Sequence, residues 1–344
     1  MKKGVKIAVV SLLVVTLMMC FGCSNQTATP QKAATVDQDV NIRLSYGLPE
    51  KHFISYQIQD VVATAMKNNS SLKIKTYPGA QLYKDADALE AVQTGAIECA
   101  MSYDFNLSSI IPEWGFVACP GLLDTTDLTY KALTDPTIRP QLEKVMEAKG
   151  LKLICTLPWI AEEVGLTTTK PVHVPADSKG MTTRVSGPQG DALCKHWGFG
   201  TTFLSGSEVY MALQRGVIQA SHAAVTTDIE RKFYEIAPYH TILPLGNIVT
   251  TIIMNKTFFD KLSAAQQKAL LDAGKTVEST TVAKAKANLQ EVLAQAKSVE
   301  TVYTPTADEM KLWNAGMDDV IKSVYKDPAT LAIIKQIQLM KTAK

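Results

Sequence analysis

The residues that most often carry out catalysis are scattered in this sequence. The five histidines include no pair at zinc-binding spacing. No GxSxG, HExxH or GxxxxGK[ST] motif occurs, and GFGTTF at 198–203 departs from the dinucleotide-binding pattern GxGxxG at its last position. Glu162 and Glu163 are adjacent, so on a strand their carboxylates would point to opposite faces and would not share a proton. The sequence therefore predicts no catalytic residues, no cofactor and no metal site.

Aromatic residues at the ends of predicted strands suggest binding instead of catalysis. Trp159 follows the apolar run LKLICTL, and Tyr103 and Phe105 follow the run IECAMS. In open α/β sheets, strand ends lie beside the clefts that hold ligands. A single aromatic residue at such a place is more often part of the core, whereas several that converge indicate a pocket.

One short phrase occurs twice in the chain. Residues 91–98 read AVQTGAIE and residues 212–219 read ALQRGVIQ. Each copy predicts a helix closed by a glycine, Gly95 or Gly216, because glycine adopts positive φ without a Cβ penalty. The apolar residues after each glycine predict a strand. Two copies indicate two similar α/β lobes, although helix, glycine and strand also follow one another by coincidence in α/β proteins.

The N-terminus has the pattern of an exported protein. Residues 1–22 carry three lysines ahead of a continuous apolar run, which predicts a signal peptide. Cys23 follows Gly22, as in the bacterial lipoprotein box, and we expect it to be the lipidated first residue of the mature chain. Residues 24–37 are polar and predict a flexible tether. We therefore expect an exported, lipid-anchored protein in the periplasm or on the outer face of the cytoplasmic membrane.

Charge and cysteine content set further expectations for the mature chain. Without the three lysines of residues 1–22, the sequence holds 32 basic and 33 acidic residues, which does not favour a nucleic acid partner. The four remaining cysteines lie far apart in apolar or helical contexts, so we expect buried free thiols.

A longer segment carries a family resemblance. Residues 179–220, KGMTTRVSGPQGDALCKHWGFGTTFLSGSEVYMALQRGVIQA, resemble the solute-binding proteins of tripartite ATP-independent periplasmic (TRAP) transporters, the DctP-like family. The segments TYPGAQLYKDADALEAVQTGAIECA, RKFYEIAPYHTI and MNKTFFDKLSAAQQKALLDAG resemble further parts of the same family, in the right order. The resemblance covers nearly the whole mature chain.

The resemblance implies an α/β fold of two lobes, like that of periplasmic binding proteins, with a hinge and long C-terminal helices spanning both lobes. The expected first lobe comprises residues 38–160 and 250–289, and the second comprises 161–249 and 290–344. The sequence supports the long helices independently, since residues 262–299 are rich in helix-forming residues, with Gly274 as the one interruption.

The resemblance also implies a ligand site. The arginine that binds an organic acid in the family corresponds to Arg184, and a guanidinium offers two parallel donors to a carboxylate. The other predicted contacts are Trp159, Tyr103, Tyr46, Tyr210, Asn247 and Glu163. A second arginine of many members is replaced by Val164, so a second cationic anchor is expected to be missing.

Together, these expectations predict a solute-binding subunit. It would capture a small organic acid and deliver it to the integral membrane subunits of a TRAP transporter. The missing second cation favours a monocarboxylate with an apolar or aromatic body. Glu162 or Glu163 would instead suit the amine of an amino acid. Two other classes stay open: an ABC-type or sensory binding protein for a carboxylate or amino acid, and an exported enzyme with an unfamiliar site.

Overall fold

The computed structural model of the protein describes residues 37–243 and 245–342. The predicted signal peptide, Cys23 and the tether up to residue 36 lie outside the described residues. No helix in the described ranges is both long and apolar enough to cross a lipid bilayer.

The described residues form eleven strands, thirteen α-helices and short 3-10 turns. The strands are β1 (Val40–Ser45), β2 (Leu72–Tyr77), β3 (Cys99–Tyr103), β4 (Leu151–Pro158), β5 (Val164–Thr168), β6 (Thr182–Val185), β7 (Gly200–Phe203), β8 (Ala220–Ala224), β9 (Tyr239–Ile242), β10 (Val249–Asn255) and β11 (Thr301–Tyr303). The helices are α1 (Phe53–Asn68), α2 (Asp85–Thr94), α3 (Asp104–Ser108), α4 (Thr126–Leu133), α5 (Ile138–Ala148), α6 (Pro188–His196), α7 (Val209–Gln214), α8 (Val225–Glu230), α9 (Lys256–Lys261), α10 (Ala264–Val299), α11 (Ala307–Asn314), α12 (Met317–Val324) and α13 (Pro328–Thr342).

The strands form two mixed sheets. The first has the order β2-β1-β3-β10-β4, and the second has the order β11-β9-β5-β8-β6-β7. The chain leaves the first sheet after β4, builds most of the second, and returns as β10, which runs antiparallel to both β3 and β4. Every residue of β10 is buried, because the strand lies between β3 and β4 and is covered on both faces. The chain passes from the first sheet to the second between β4 and β5, and it returns between β9 and β10. These two crossings lie side by side, because β4 pairs with β10 and β5 pairs with β9.

The repeated phrase occupies matching places in the two sheets. Gly95 closes α2 with φ 78°, and Gly216 follows α7 with φ 69°. The strands that come next are β3 of the first sheet and β8 of the second. They begin at Cys99 and Ala220, a few residues later than the sequence predicts, because a short turn separates each glycine from its strand. The prediction of helix, glycine and strand in each half of the chain is confirmed.

The long helix α10 joins the two halves. Its first half, with the apolar residues Leu270 and Val277, packs against α1 and β4 on the side of the first sheet. Its second half packs Val292 and Ala296 against α8 beside the second sheet. The expected long C-terminal helix is thus confirmed. The final helix α13 packs against the 3-10 turn Pro112–Ala118, on the side of the first sheet.

Four buried free thiols, those of Cys99, Cys119, Cys155 and Cys194, confirm the expectation from cysteine spacing. All four lie in the apolar interior of the described residues, where burial raises the pKa of each thiol. A thiol of raised pKa is a poor nucleophile, so these cysteines contribute packing and not chemistry.

The sequence suggested that Gly274 interrupts the long helix, but in the structure it does not. The helix is continuous through this residue, which lies directly against β4. A Cβ at this position would lie 2.4 Å from the carbonyl oxygen of Ile154 and 3.0 Å from Cβ of Cys155. Glycine is therefore needed here for the close approach of helix and strand.

We predict that Gly274→Ala destabilises the protein although alanine favours helix. The helix propensity gain is about 1 kcal/mol, whereas overpacking against a strand backbone costs about 1–3 kcal/mol. Urea unfolding followed by circular dichroism measures the difference. Ser279→Ala, an exposed change in the same helix, is the matched control and should be neutral or slightly stabilising. A stability gain for Gly274→Ala equal to that of the control would contradict the close packing.

Candidate functional site

Three adjoining cavities lie where the two sheets face each other, and Arg184 and Phe105 line all three. The first cavity and the open space at its mouth together amount to about 420 Å³. Its lining includes Tyr103, Phe105, Trp159, Arg184, His222 and Arg231. Tyr103 and Trp159 come from the ends of β3 and β4, while Arg184 and His222 come from β6 and β8. The cavity is therefore built from both sheets.

Arg184 is the central charge of this site. Strand β6 holds it between β7 and β8, and only 8% of its surface is exposed. Its Nε donates a hydrogen bond to the carbonyl oxygen of Leu204 at 2.9 Å, and its guanidinium carbon lies 5.9 Å from the centroid of the Phe105 ring. No carboxylate of the described residues forms an ion pair with it.

Burial lowers the pKa of Arg184 to about 10, while Tyr103 and Asp85 nearby oppose that shift. The group is still cationic at neutral pH. A buried cation that lacks a protein carboxylate in contact is well suited to an anionic ligand, because desolvation strengthens the attraction between them.

Aromatic rings form the apolar wall of the cavity. The rings of Tyr103 and Phe105 stack with centroids 4.6 Å apart and planes 13° apart. The Trp159 ring lies 6.2 Å from that of Tyr103 and packs on its other side against His52 and Phe53. Nε1 of Trp159 is buried without a hydrogen-bond partner in the described part of the chain. The wall thus offers flat apolar surface and one indole donor.

Hydrogen bonds between the two sheet crossings fix the position of Trp159. Its backbone N–H donates to the carbonyl oxygen of Ile248 at 2.9 Å. Nδ2 of Asn247 donates to the carbonyl oxygen of Trp159 at 3.2 Å and to Oγ1 of Thr129 at 2.9 Å, while its Oδ1 accepts from the N–H of Ile248 at 2.7 Å. Asn247 lines the second cavity, but its amide is occupied by these bonds. We therefore assign it a positioning role where the sequence suggested a ligand contact.

Three other residues predicted to contact a ligand lie away from the three cavities. Tyr46 is 1% exposed and belongs to the core beneath the first sheet. Tyr210 donates its hydroxyl hydrogen to Oε2 of Glu235 at 2.6 Å. Glu163 accepts hydrogen bonds from the backbone and hydroxyl of Thr226. Tyr210 and Glu163 are thus hydrogen-bonded to protein neighbours, whereas the buried Tyr46 hydroxyl has no partner in the described residues. None of the three lines these cavities, although the sequence predicted a ligand contact for each.

The adjacent Glu162 is held in the same way. Its carboxylate accepts from the backbone N–H and the hydroxyl of Thr126, at 3.2 and 2.6 Å. Both glutamates are hydrogen-bonded to threonines, and neither lines the three cavities, where the amine of an amino acid would lie.

Polar groups that the sequence reasoning missed also line the first cavity. His222 lies on β8, and burial followed by the charge of Arg184 lowers its pKa to about 4, so its imidazole is neutral. Arg231 follows α8 and supplies a second cation. This corrects the expectation that a second cationic anchor is missing. The sequence signal was the Arg-Lys pair at the start of RKFYE, whose first residue the fold turns toward the cleft.

Known solute-binding proteins resemble this chain over most of its length. The family model described as bacterial extracellular solute-binding protein, family 7, matches residues 48–327. A solute-binding protein of Albidiferax ferrireducens is 27% identical over 266 residues, which cover 76% of this chain and 77% of that protein. The C4-dicarboxylate-binding periplasmic protein DctP of Rhodobacter capsulatus is 25% identical over 281 residues, covering 80% and 82%.

A solved structure shows the same fold. The crystal structure of an extracytoplasmic solute receptor of Bordetella pertussis that binds pyroglutamic acid matches with a TM-score of 0.79 at 22% identity. The match covers 87% of this chain and 99% of that one. The prediction of a two-lobed α/β binding-protein fold is thereby confirmed.

Glu163 gives the site region a pH-dependent stability. Burial raises the pKa of Glu163 to about 7, and Asp228 and Glu162 nearby raise it further, against the bonds from Thr226. The pKa in the unfolded chain is near 4.5. Between these values the unfolded chain gives up the proton and the folded chain keeps it, so the free energy of unfolding falls as pH rises.

We predict that Glu163→Gln reduces this fall by about 2 kcal/mol between pH 5 and pH 8. Urea unfolding at several pH values measures the slope for both proteins. Glu113→Gln changes a more exposed carboxylate and should leave the slope unchanged. Parallel slopes for Glu163→Gln and the native chain would contradict a proton held by Glu163 in the folded state.

Proposed function

The chain belongs to family 7 of the bacterial extracellular solute-binding proteins, and from this premise we propose that it captures a small organic acid for a TRAP transporter. Members of this family are receptors for solutes and not enzymes. In this role the protein binds its ligand outside the cytoplasm and delivers it to the small and large membrane subunits of the transporter.

Arg184 carries the proposal. A buried guanidinium, facing a cavity and without a carboxylate of the described residues in contact, favours a ligand that brings the carboxylate. Its Nε is held by Leu204, which leaves the terminal nitrogens to form two parallel hydrogen bonds with a ligand. The family resemblance assigns the same role to the arginine at this position.

The aromatic wall supports the finer proposal that the acid has an apolar or aromatic body. Tyr103, Phe105 and Trp159 would cover such a body, and their burial against it adds hydrophobic free energy. Aromatic or branched 2-oxo and 2-hydroxy acids fit this description. Among similar proteins, the Bordetella receptor binds pyroglutamic acid, a monocarboxylate, while the Rhodobacter protein is named for C4-dicarboxylates.

We further propose that ligand binding closes two lobes built on the two sheets. Polar groups of the two sheets meet at three places around the cleft. Lys84 pairs with Glu208 at 2.7 Å at the exposed rim, and Ser205 donates to the buried Asp85 at 3.3 Å. In the interior, Nε2 of His52 lies 3.0 Å from Oε2 of Glu230. These contacts form only when the sheets approach, so they would favour a closed shape that the membrane subunits recognise.

The lobe boundaries stay a proposal. We keep 38–160 with 250–289 as the first lobe and 161–249 with 290–344 as the second. The packing of α13 against Pro112–Ala118 would move that last helix into the first lobe. Export through residues 1–22 and anchoring through lipid on Cys23 are likewise proposed. An ABC-type or sensory receptor is the alternative function, and it would share the cleft but meet another membrane partner.

We predict that Arg184→Ala weakens binding of the acid at least about 100-fold, the effect expected when a buried bidentate pair is lost. A thermal-shift screen of organic acids identifies the ligand, and calorimetry then measures both affinities. Arg215→Ala, which changes an exposed arginine beyond α7, is the matched control and should bind normally. Equal affinity for Arg184→Ala and the control would remove Arg184 from the site.

We also predict that ligand binding changes the intrinsic fluorescence of Trp159. Of the four tryptophans, only Trp159 lines any of the three cavities, and it lines the first. Trp159→Phe should therefore abolish most of the change. Trp114→Phe alters a core tryptophan whose Nε1 has no partner in the described residues, so it should leave the change intact. A signal lost in the Trp114 variant and kept in the Trp159 variant would contradict this placement.

A further inference from the structure

A protein carboxylate reaches into the cleft beside its two arginines. Asp85 is the first residue of α2, on the side of the first sheet, whereas Arg184 and Arg231 belong to the second. Asp85 is 5% exposed, and its Oδ2 accepts a hydrogen bond from Oγ of Ser205 at 3.3 Å. Asp85 and Arg184 together line the cavity that adjoins the ligand cavity.

Gly206 marks the point where these charges meet. A Cβ on Gly206 would lie 3.6 Å from Nη1 of Arg231 and 3.7 Å from Oδ2 of Asp85. The carboxylate of Asp85 and the guanidinium of Arg231 thus both lie beside Gly206. They are near each other but too far apart to form an ion pair. Arg231 also donates from Nη2 to the carbonyl oxygen of Gly47 at 3.4 Å, which ties it to the first sheet.

Gly47 provides the space that Asp85 occupies. A Cβ at Gly47 would lie 1.9 Å from Oδ1 of Asp85, so no other residue fits there without moving the carboxylate. Oδ1 is buried and has no hydrogen-bond partner within the described residues. Burial raises the pKa of Asp85, and the charges of Arg231 and Arg184 oppose that rise. The position of this carboxylate is therefore set by the fold and not by a saturated hydrogen-bond network.

The charged groups around Asp85 leave a single positive excess. Arg184 and Arg231 contribute two cations, and Asp85, whose ionised form these two charges stabilise against burial, contributes the anion. Asp104, which lines the second cavity, accepts a hydrogen bond from the N–H of Val249, and burial raises its pKa to about 7. His222 and Tyr103 are neutral, because burial lowers the pKa of the first and raises that of the second. Lys84 and Glu208 at the rim neutralise each other in an ion pair. One negative charge on the ligand balances this cleft, whereas a second would remain unpaired in a poorly hydrated space.

We propose that Asp85 is a built-in counter-charge that makes the cleft select monocarboxylates over dicarboxylates. This inference rests on the proposed function and names its specificity-determining residue. Asp85 takes the place that the second carboxylate of a dicarboxylate would fill near Arg231. Because Asp85 comes from the opposite sheet, it discriminates only when the cleft is closed.

The test compares ligands that differ in charge and hardly in shape. Succinate, glutarate and phenylsuccinate are each measured beside their monoamides, by thermal shift and then by calorimetry at pH 7. The native protein should prefer the monoamide in the pairs it binds. Asp85→Asn keeps the shape of the side chain and removes its charge, so it should shift the ratio of affinities toward the dicarboxylate by at least tenfold.

Two further variants separate charge from shape and folding. Asp85→Asn combined with Arg231→Gln restores the single positive excess and should return the ratio toward the native value. Asp87→Asn changes an exposed carboxylate on the same helix and should leave the ratio unchanged. Native-like unfolding temperatures without ligand verify that each variant is folded.

The results distinguish the two proposals. If the native protein binds the members of each pair equally, or if Asp85→Asn leaves the ratio unaltered, the role of Asp85 is overturned while acid binding stands. If the folded native protein binds none of the six compounds and no acid of the wider screen, the proposed function and this inference both fail.

Discussion

The constraint on which the rest of the site depends is a guanidinium buried between two sheets, with which no carboxylate of the described residues is in contact. Withdrawing such a cation from water costs several kcal/mol unless an anion or a set of acceptors replaces the water. The described residues supply Arg184 with one carbonyl acceptor and the face of Phe105. Arg184 lines the cavity, and in the proposed function a ligand carboxylate would satisfy its remaining donors there. Donors that lack a protein acceptor would give a receptor both affinity and specificity for an anionic ligand.

The topology explains how distant parts of the chain meet at this point. Because β10 returns to the first sheet after the second has been built, two crossings lie side by side and hydrogen-bond to each other through Trp159 and Ile248. The helix α10 packs on both halves and limits how they move. Asp85 at the start of α2 is thereby opposed to Arg231 beyond α8. One sheet thus carries the arginines and the other carries the aromatic wall and the counter-charge.

Local signals predicted much of this fold, while contacts between distant residues escaped them. Gly95, Gly216 and the composition of α10 could be interpreted from the sequence because each acts within a few residues of itself. Trp159 and Tyr103 were correctly expected beside a cleft because strand ends meet there. Arg184, which also lines the first cavity, was identified through the family resemblance. The partners of Tyr210 and Glu163, and the convergence of Asp85 with Arg231, depend on the packing of whole helices, which spacing in the sequence does not encode.

The central claim is that Arg184 binds the carboxylate of the ligand, and a crystal structure of the protein with its acid tests it most directly. The account predicts carboxylate oxygens within about 3 Å of the terminal nitrogens of Arg184, in the parallel arrangement of a bidentate pair. It also predicts the body of the acid against Tyr103 and Trp159. An acid bound elsewhere, or an Arg184 paired with a carboxylate of the protein in that complex, would contradict the account.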